Sequence, residues 1–314
     1  MSSTYRIIDV QPDTDEWLLE RRKSIGASEI AAVMGMSPYS TALDVYKSKS
    51  GVDKHFDPLL SFIGHESEAI IAKWVEEFSG VPVKLEPAFM ARSVEYPFLH
   101  ASFDRVSSDP FTTWQFKTAH QYTGHKWDEG IPTDIRVQVQ AEMLVAGTDR
   151  AAVVVWIGGR EFRLFWEMRD NKFIGEHMIP QLTQFWADLQ AGVAPPPSNV
   201  AEMAEAWHDS GEEMEATEEM QEIIEQRAFL LASAKEMEED ANKLRDRLGQ
   251  RMLEANVEKL TVGGKTLLTY KRQSGRASFD QKRLREERPD IAAEYTTQGA
   301  PYMVMRTYKP KETK

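Results

Sequence analysis

Asp104, Gln115 and Lys117 are the residues whose types and spacing point most directly to chemistry. They sit in Ala101-Ser102-Phe103-Asp104-Arg105-Val106 and in Thr112-Thr113-Trp114-Gln115-Phe116-Lys117-Thr118. Both segments read as β-strands, with a turn at Asp109-Pro110 between them. An acid closing one strand beside a second oxygen donor on the next is a way to hold a hard divalent cation such as Mg²⁺, and a bound cation lowers the pKa of its water. Alternate residues of a strand share a face, so Lys117 points the same way as Gln115. There its ammonium can steer that water and offset charge at a phosphorus centre. The arrangement suits metal-assisted hydrolysis of a phosphate ester. Gln115 brings an oxygen with no formal charge, so cation affinity falls at this position.

The elements that must position these residues are legible around them. Residues 1–194 read as one α/β unit. A helix is expected over 14–23 behind a Pro12-Asp13 start signal, a short one over 28–33 ended by Gly35, then helices over 41–50 and 59–78. Strands are expected over 83–90, 100–106 and 113–118, a helix over 134–146, and a hairpin of 151–157 with 161–167 around Gly158-Gly159. An amphipathic helix over 171–190 closes the unit. The Pro-rich stretch 195–200 reads as a stiff linker. Residues 201–314 form an extension: a long helix over 212–256, a hairpin turning at Gly263-Gly264, a short helix over 279–287 and a polar tail. The fold class is α/β, a central mixed sheet flanked by helices, with a mainly helical C-terminal extension that carries a β-hairpin.

Composition narrows the classes. There is no cysteine among the 314 residues, which excludes disulfides and thiolate metal sites. No leader pattern opens the sequence and no apolar run approaches ~20 residues, so a soluble, cytoplasmic protein is expected. The net charge of −12 argues against a general nucleic-acid coat. Between 201 and 240, 14 acids face only Arg227 and Lys235, whereas 258–314 holds 13 basic residues against 7 acidic. On that reading the acidity is concentrated in one segment, and the rest of the chain is free to present a positive channel. The basic stretch 271–276 suits backbone contact with duplex DNA, a solvated surface, or the docking of a partner.

Six motifs in order carry a family resemblance over about residues 15–190. They are Trp17-x3-Arg21 with Ile25-Gly26-Ala27-Ser28-Glu29, then Gly35-Met36-Ser37-Pro38-Tyr39, then Gly64-His65-Glu66-Ser67-Glu68. Ser102-Phe103-Asp104, Gln115-Phe116-Lys117 and Gln138-Val139-Gln140 follow. Together they resemble the lambda exonuclease family in its YqaJ-like phage recombinase branch, within the PD-(D/E)xK nucleases. The resemblance implies a restriction-endonuclease-like core and a Mg²⁺-dependent 5'-to-3' exonuclease of duplex DNA, with Mn²⁺ as a possible substitute. Such an enzyme leaves 3' overhangs for annealing and recombination. A phage single-strand annealing protein as partner and a homotrimer threaded on DNA ends are implied too.

The same resemblance assigns roles. Asp104, Gln115, Glu68 and the Phe116 carbonyl would hold the metal. Lys117 would position the water, and Gln138 would sit beside the water or the scissile phosphate. Arg21, Ser28 and Ser102 would hold a terminal 5'-phosphate. Each has a plainer reading: a strand-end cap, a surface lysine, a solvated helix Glu, a polar helix face, an N-cap serine. The family has Glu where this chain has Gln115, which implies a chain disabled there. Engineered replacement, natural drift and substitution by a nearby acid all remain open. A non-catalytic DNA-end-binding protein and an endonuclease of the same fold are the alternatives.

Overall fold

In the computed structural model, which describes residues 4–11, 14–52, 58–108, 111–207, 211, 213–275, 277–297, 299, 302 and 304–307, the chain opens with strand β1 (Tyr5–Ile8) and helix α1 (Asp15–Arg22). Thr14 caps α1 by accepting from the Trp17 N–H, and Asp15 and Glu16 occupy the first turn, where the helix dipole favours acids. The short strand β2 (Ile25–Gly26) runs into a 3-10 turn (Ala27–Glu29) and helix α2 (Ile30–Val33). Helix α3 (Ala42–Lys49) starts at a capping box of Thr41 and Asp44. Then come α4 (Pro58–Phe78), β3 (Phe89–Ser93), β4 (Leu99–Phe103), β5 (Arg105–Ser108), β6 (Phe111–Ala119) and α5 (Thr133–Ala146). A hairpin of β7 (Arg150–Ile157) and β8 (Glu161–Met168) follows, its turn made by Gly158 and Gly159 at φ +56° and +72°. The expected signals at Pro12-Asp13 and Asp109-Pro110 lie outside the described residues, as do Arg276 and residues 308–314.

Several expected elements are corrected. The strand expected over 83–90 begins only at Phe89; upstream there is one isolated bridge, Glu86 with Val106. Pro87, beside it, has no N–H to give a ladder. The helix expected over 171–190 is α6 (Asn171–Phe173), a π turn (Ile174–Met178) and α7 (Ile179–Gln190). Pro180 cannot donate to the carbonyl four residues back, and the helix widens where that bond is missing. Strand β1 and helix α8 (Val200–Ala206) were not expected. The correction that matters most concerns residues 100–106. They form two strands rather than one, broken at Asp104.

That break divides the expected central sheet. One sheet has the order β1-β3-β4-β2 and the other β5-β6-β7-β8. Both are mixed: β2 runs parallel to β4, and β6 parallel to β7. Helix α5 lies between them. Val137, Ala141, Leu144 and Val145 pack into the cluster with β3 and β4, while Val139 and Met143 join the cluster built on β7. Every residue from Val137 to Ala146 is buried. Burying one Val, Leu or Met side chain fully is worth about 1.5–3 kcal/mol, so the apolar faces of α5 can carry the three buried polar side chains Gln138, Gln140 and Glu142. Gln140 is structural: its amide donates to Glu167 and to the Met168 carbonyl at the end of β8, and its oxygen accepts from the Asp170 N–H.

The chain divides into two compact units, Met1–Glu202 and Met203–Lys314. In the second, helix α9 (Glu218–Glu254) is followed by a hairpin of β9 (Lys259–Val262) and β10 (Lys265–Thr269), then α10 (Gln281–Glu287) and α11 (Pro289–Glu294). Tyr270 lies across α9 at Gly249, where a Cβ would meet its ring at 2.9 Å. Among the described residues no helix is long and apolar enough to cross a membrane.

His100 on β4 ties the fold to pH. The ring is 1% exposed and hydrogen-bonds through Nδ1 to Ser24 Oγ at 2.9 Å. Burial, helped by the charges of Lys49, Arg21 and Arg92, holds its pKa well below the ordinary 6.5. Below about pH 6.5 the unfolded chain takes up a proton that the folded chain refuses. Stability must therefore fall as pH drops through this value, by up to about 1.4 kcal/mol per pH unit until the native ring titrates. Urea unfolding between pH 7 and 5 should show a midpoint that declines with pH, and a shallower decline in His100→Gln. Equal slopes in the two proteins would assign the effect to other groups.

Candidate active site

The break at Asp104 makes the site. Strand β5 pairs with β6 in a register that sets Arg105 opposite Trp114, so one step further Asp104 stands opposite Gln115. Directly opposed residues of an antiparallel pair share a face. No strand of this sheet continues past β5 to pair the Phe116 N–H; the Asp104 carboxylate takes that place, with Oδ2 accepting from Phe116 N at 2.7 Å. Oδ2 also accepts from Gln115 Nε2 at 2.5 Å. The edge of β6 beyond Trp114 therefore opens into a cleft of about 290 Å³. Gly64, His65, Glu68 and Ile71 of α4 line one side, and Asp104, Gln115, Phe116, Lys117 and Thr118 the other. Helix α4 is held there because Ile71 and Val75 pack on Trp114 and Phe116, the side chains on the opposite face of β6 from Gln115.

A chain of side-chain amides runs from the lysine to the acid. Lys117 Nζ donates to Gln138 Oε1 at 3.1 Å. Gln138 Nε2 donates at 2.8 Å to Gln115 Oε1 and at 2.8 Å to Glu142 Oε1. Gln115 Nε2 donates to Asp104 and, at 3.3 Å, to the Phe116 carbonyl. Gln138 is thus a buried junction, not part of a polar outer face. With an amide at 115 every donor in this chain meets an acceptor; a carboxylate there would set two anions against each other unless a cation lay between.

The electrostatics of the site follow from crowded acids. Burial, and next the charge of Asp104, raise Glu68 to about 7, although Arg105 Nη1 lies 3.5 Å from its Oε2. Glu142 is only 1% exposed; burial and then Asp104 push it up to about 8. Burial also raises Asp104 itself, opposed by Lys117 and by the Phe116 N–H. The donors that face the cleft are hard oxygens beside a lysine, the set a Mg²⁺ or Mn²⁺ ion takes. They fit such an ion with a reduced charge. Among the described residues no three His, Cys, Asp or Glu side chains stand together as a metal-holding group, and the amide at 115 is one reason.

Glu142 is the site residue that sequence reasoning missed. The signal was its spacing, four residues after Gln138 and so on the same helix face. A second, larger cleft of about 850 Å³ shares Lys117 and Thr118 with the first. It is lined by Gly35, Met36, Ser37, Pro38 and Tyr39, with His120, Lys126 and Trp127 opposite. The Gly-Met-Ser-Pro-Tyr motif thus borders the site, and Lys126 Nζ stands 5.7 Å from the Tyr39 ring centre. His120 and Lys126, in the loop after β6, line this cleft. His125 instead bonds the Tyr122 carbonyl.

The three residues expected to hold a phosphate come from neighbouring elements. Pairing of β2 with β4 brings the 3-10 turn that carries exposed Ser28 against the strand that carries Ser102. Ser102 Oγ and Arg92 Nε are buried donors without a hydrogen-bond partner. The register of β3 on β4 puts Arg92, His100 and Ser102 on one face. Arg21 lies over the Trp17 ring at 4.5 Å and 4.0 Å from Glu29, which also takes Lys49 at 2.6 Å. Arg92 and Lys49 had no place in the sequence reading.

Residues 16–149 match the family described as the YqaJ-like viral recombinase domain. Strands β5 and β6, the Gly-Met-Ser-Pro-Tyr loop and helix α5 all fall inside that span. The protein YqaJ of Bacillus subtilis (strain 168) is 28% identical over 289 residues, covering 88% of this chain and 89% of that protein. A match of that extent includes much of the second unit as well as residues 16–149. In structure the chain is similar to LHK-Exo, an alkaline exonuclease of Laribacter hongkongensis solved in complex with dAMP. The TM-score is 0.50 at 17% identity, over 57% of this chain and 94% of that one. That likeness shows the fold: helices around mixed sheets, as expected from the sequence.

The amide junction has a measurable weight. Gln138→Met should leave Gln115 Oε1, Glu142 Oε1 and Lys117 Nζ each short of a partner. Leaving buried polar groups unpaired costs about 1–3 kcal/mol each, so a loss of at least about 3 kcal/mol is expected in urea unfolding. A loss under about 1 kcal/mol would mean that water replaces the amide.

Proposed function

We propose that this protein is a metal-dependent deoxyribonuclease acting at the ends of duplex DNA, digesting the 5'-ended strand and leaving a 3' overhang for recombination by annealing. The observation that supports it best is the meeting of Asp104, Gln115, Lys117, Gln138 and Glu68 around one cleft, at the edge of β6 in a YqaJ-like domain. Asp104, Gln115 Oε1, the Phe116 carbonyl and Glu68 would hold Mg²⁺, with Mn²⁺ able to substitute. When bound, the ion supplies an acidified water and charge at the phosphate. Lys117 orients the nucleophile and faces the charge that develops on the phosphorus oxygens. Gln138 holds the Lys117 ammonium and the Gln115 oxygen in place.

Arg21, Ser28 and Ser102 form the 5'-phosphate clamp in this reading, and Arg92 joins them through its unpaired Nε. A phosphate would satisfy the two buried donors, Ser102 Oγ and Arg92 Nε. The larger cleft, with Tyr39 and Lys126, suits a strand leaving the site. A homotrimer around the duplex, a phage single-strand annealing protein as partner and action in the host cytoplasm complete the proposal.

Gln115 leaves the strand position one charge short, and its amide is already bonded to Asp104. That bond favours a second reading, a protein that binds DNA ends without cutting them. Digestion of linear duplex with 5'-phosphate ends in Mg²⁺ separates the two. Gln115→Glu should cut at least about tenfold faster than the unaltered chain, and Lys117→Ala in that background should lose about 10²-fold or more. If Gln115→Glu binds ends and still does not cut, the end-binding reading stands. Cleavage of closed-circular duplex would indicate an endonuclease instead. For the clamp, Arg21→Ala and Ser102→Ala should erase any preference for 5'-phosphate over 5'-hydroxyl ends while leaving melting temperatures close to the original.

A further inference from the structure

Glu142 has no part in the roles assigned so far, yet it is the most deeply buried acid near the site, at 1% exposure. Burial and the charge of Asp104 push its pKa up to about 8, so at neutral pH it is mostly the neutral acid, and a nearby cation is what would favour its ionised form. Among the described residues no Lys, Arg or His pairs with it within ion-pair distance; the hydrogen bond it makes is from Gln138 Nε2. The same amide nitrogen donates to Gln115 Oε1. Both bonds measure 2.8 Å, so the two acceptor oxygens lie within twice that distance of each other. The acid is therefore neighbour to the one strand position that has lost its charge.

We propose that Glu142 is the second anionic group of the site: from helix α5, through Gln138, it supplies the negative charge that an amide at 115 withholds. The inference rests on the metal-dependent reading above and deepens it. Gln115 and Glu142 divide between them what a single strand carboxylate would do. Gln115 contributes the oxygen at the cleft, and Glu142, ionised once a cation is bound, contributes the charge behind it. An amide or apolar residue could fill the space beside Gln138, and an acid there differs from them in the charge it can supply to a cation nearby. Glu142 does not line the cleft, and its role is electrostatic positioning rather than direct ligation.

The test is Mn²⁺ binding by isothermal titration calorimetry, with Mg²⁺ competition, on four full-length chains: unaltered, Glu142→Gln, Gln115→Glu, and the two changes together. Glu142→Gln keeps the acceptor for Gln138, and thermal melting checks that each chain folds. The expected result is a loss of about tenfold or more in Mn²⁺ affinity for Glu142→Gln, with recovery to at least the original affinity when Gln115→Glu is added. A purely structural role would leave the double variant well below Gln115→Glu alone, whereas exchange of charge makes the two equal. Unchanged affinity in Glu142→Gln overturns the proposal, and so does a double variant that stays weak while Gln115→Glu alone binds. If Glu142→Gln does not fold, the double variant against Gln115→Glu alone decides, since equal affinity there supports the exchange of charge. If no chain binds Mn²⁺, including Gln115→Glu, the metal-dependent reading falls with this one.

Discussion

The site depends on one constraint: a backbone N–H at the edge of β6 needs an acceptor, and the strand that would supply one has ended. Asp104 supplies it from a side chain. Because its carboxylate bonds Phe116 N, the chain can leave one sheet at Phe103 and enter another at Arg105 without abandoning a buried donor. The same bond pins an acid against the strand that carries Gln115 and Lys117. The structural requirement and the chemical one are met by a single group. An alanine at 104 would cost both a ladder bond and a ligand.

Helix α5 extends that logic into the core. Most helices of a domain this size keep polar side chains on an outer face. Here the helix is buried along ten consecutive residues, so its polar side chains have to find partners inside the protein. Gln138 does so by bridging three groups, and Gln140 by fastening the end of β8. Networks of this kind are tolerable only when nearly complete, since each unpaired member costs as much as several good contacts return. A change at one amide therefore propagates to Lys117 and to Asp104, which explains why residues on three elements act as one site.

The sequence showed these groups to different degrees, for physical reasons. Asp104, Gln115 and Lys117 were legible because strand alternation and register are local rules, and the cleft does gather them. Their helical companions Glu68 and Gln138 were legible from motif order, and α4 and α5 do bring them in. The sheet division was not legible, because a single Asp in an apolar strand looks the same whether the strand continues or stops. The outcome was set by pairing with a distant strand. Glu142 was hidden by a similar ambiguity. On a helix read as half-exposed, a Glu is unremarkable; it becomes informative only when both sides of the helix are covered. The π turn before α7 was foreshadowed by Pro180, but its form depends on packing that no local signal carries.

Charge distribution also looks different once the units are known. With the acids concentrated over 201–240, the rest of the chain was expected to be free to present a positive channel. Counted over residues 1–202, the first unit holds 19 Lys and Arg against 28 Asp and Glu. It is acidic in its own right, and a polyanion must be met by local cations rather than by a general field. The structure offers two such places: Arg21, Lys49 and Arg92 beside Ser102, and Lys117 with Lys126 along the clefts. Both are partly neutralised, the first by Glu20 and Glu29 and the second by the acids of the site. An arrangement of this kind binds phosphate where geometry is right and repels duplex elsewhere. On the proposed function, that suits a protein that waits for an end over one that coats DNA, and a divalent cation at Asp104 would have a second task, since without it the acids of the cleft would hold the backbone away.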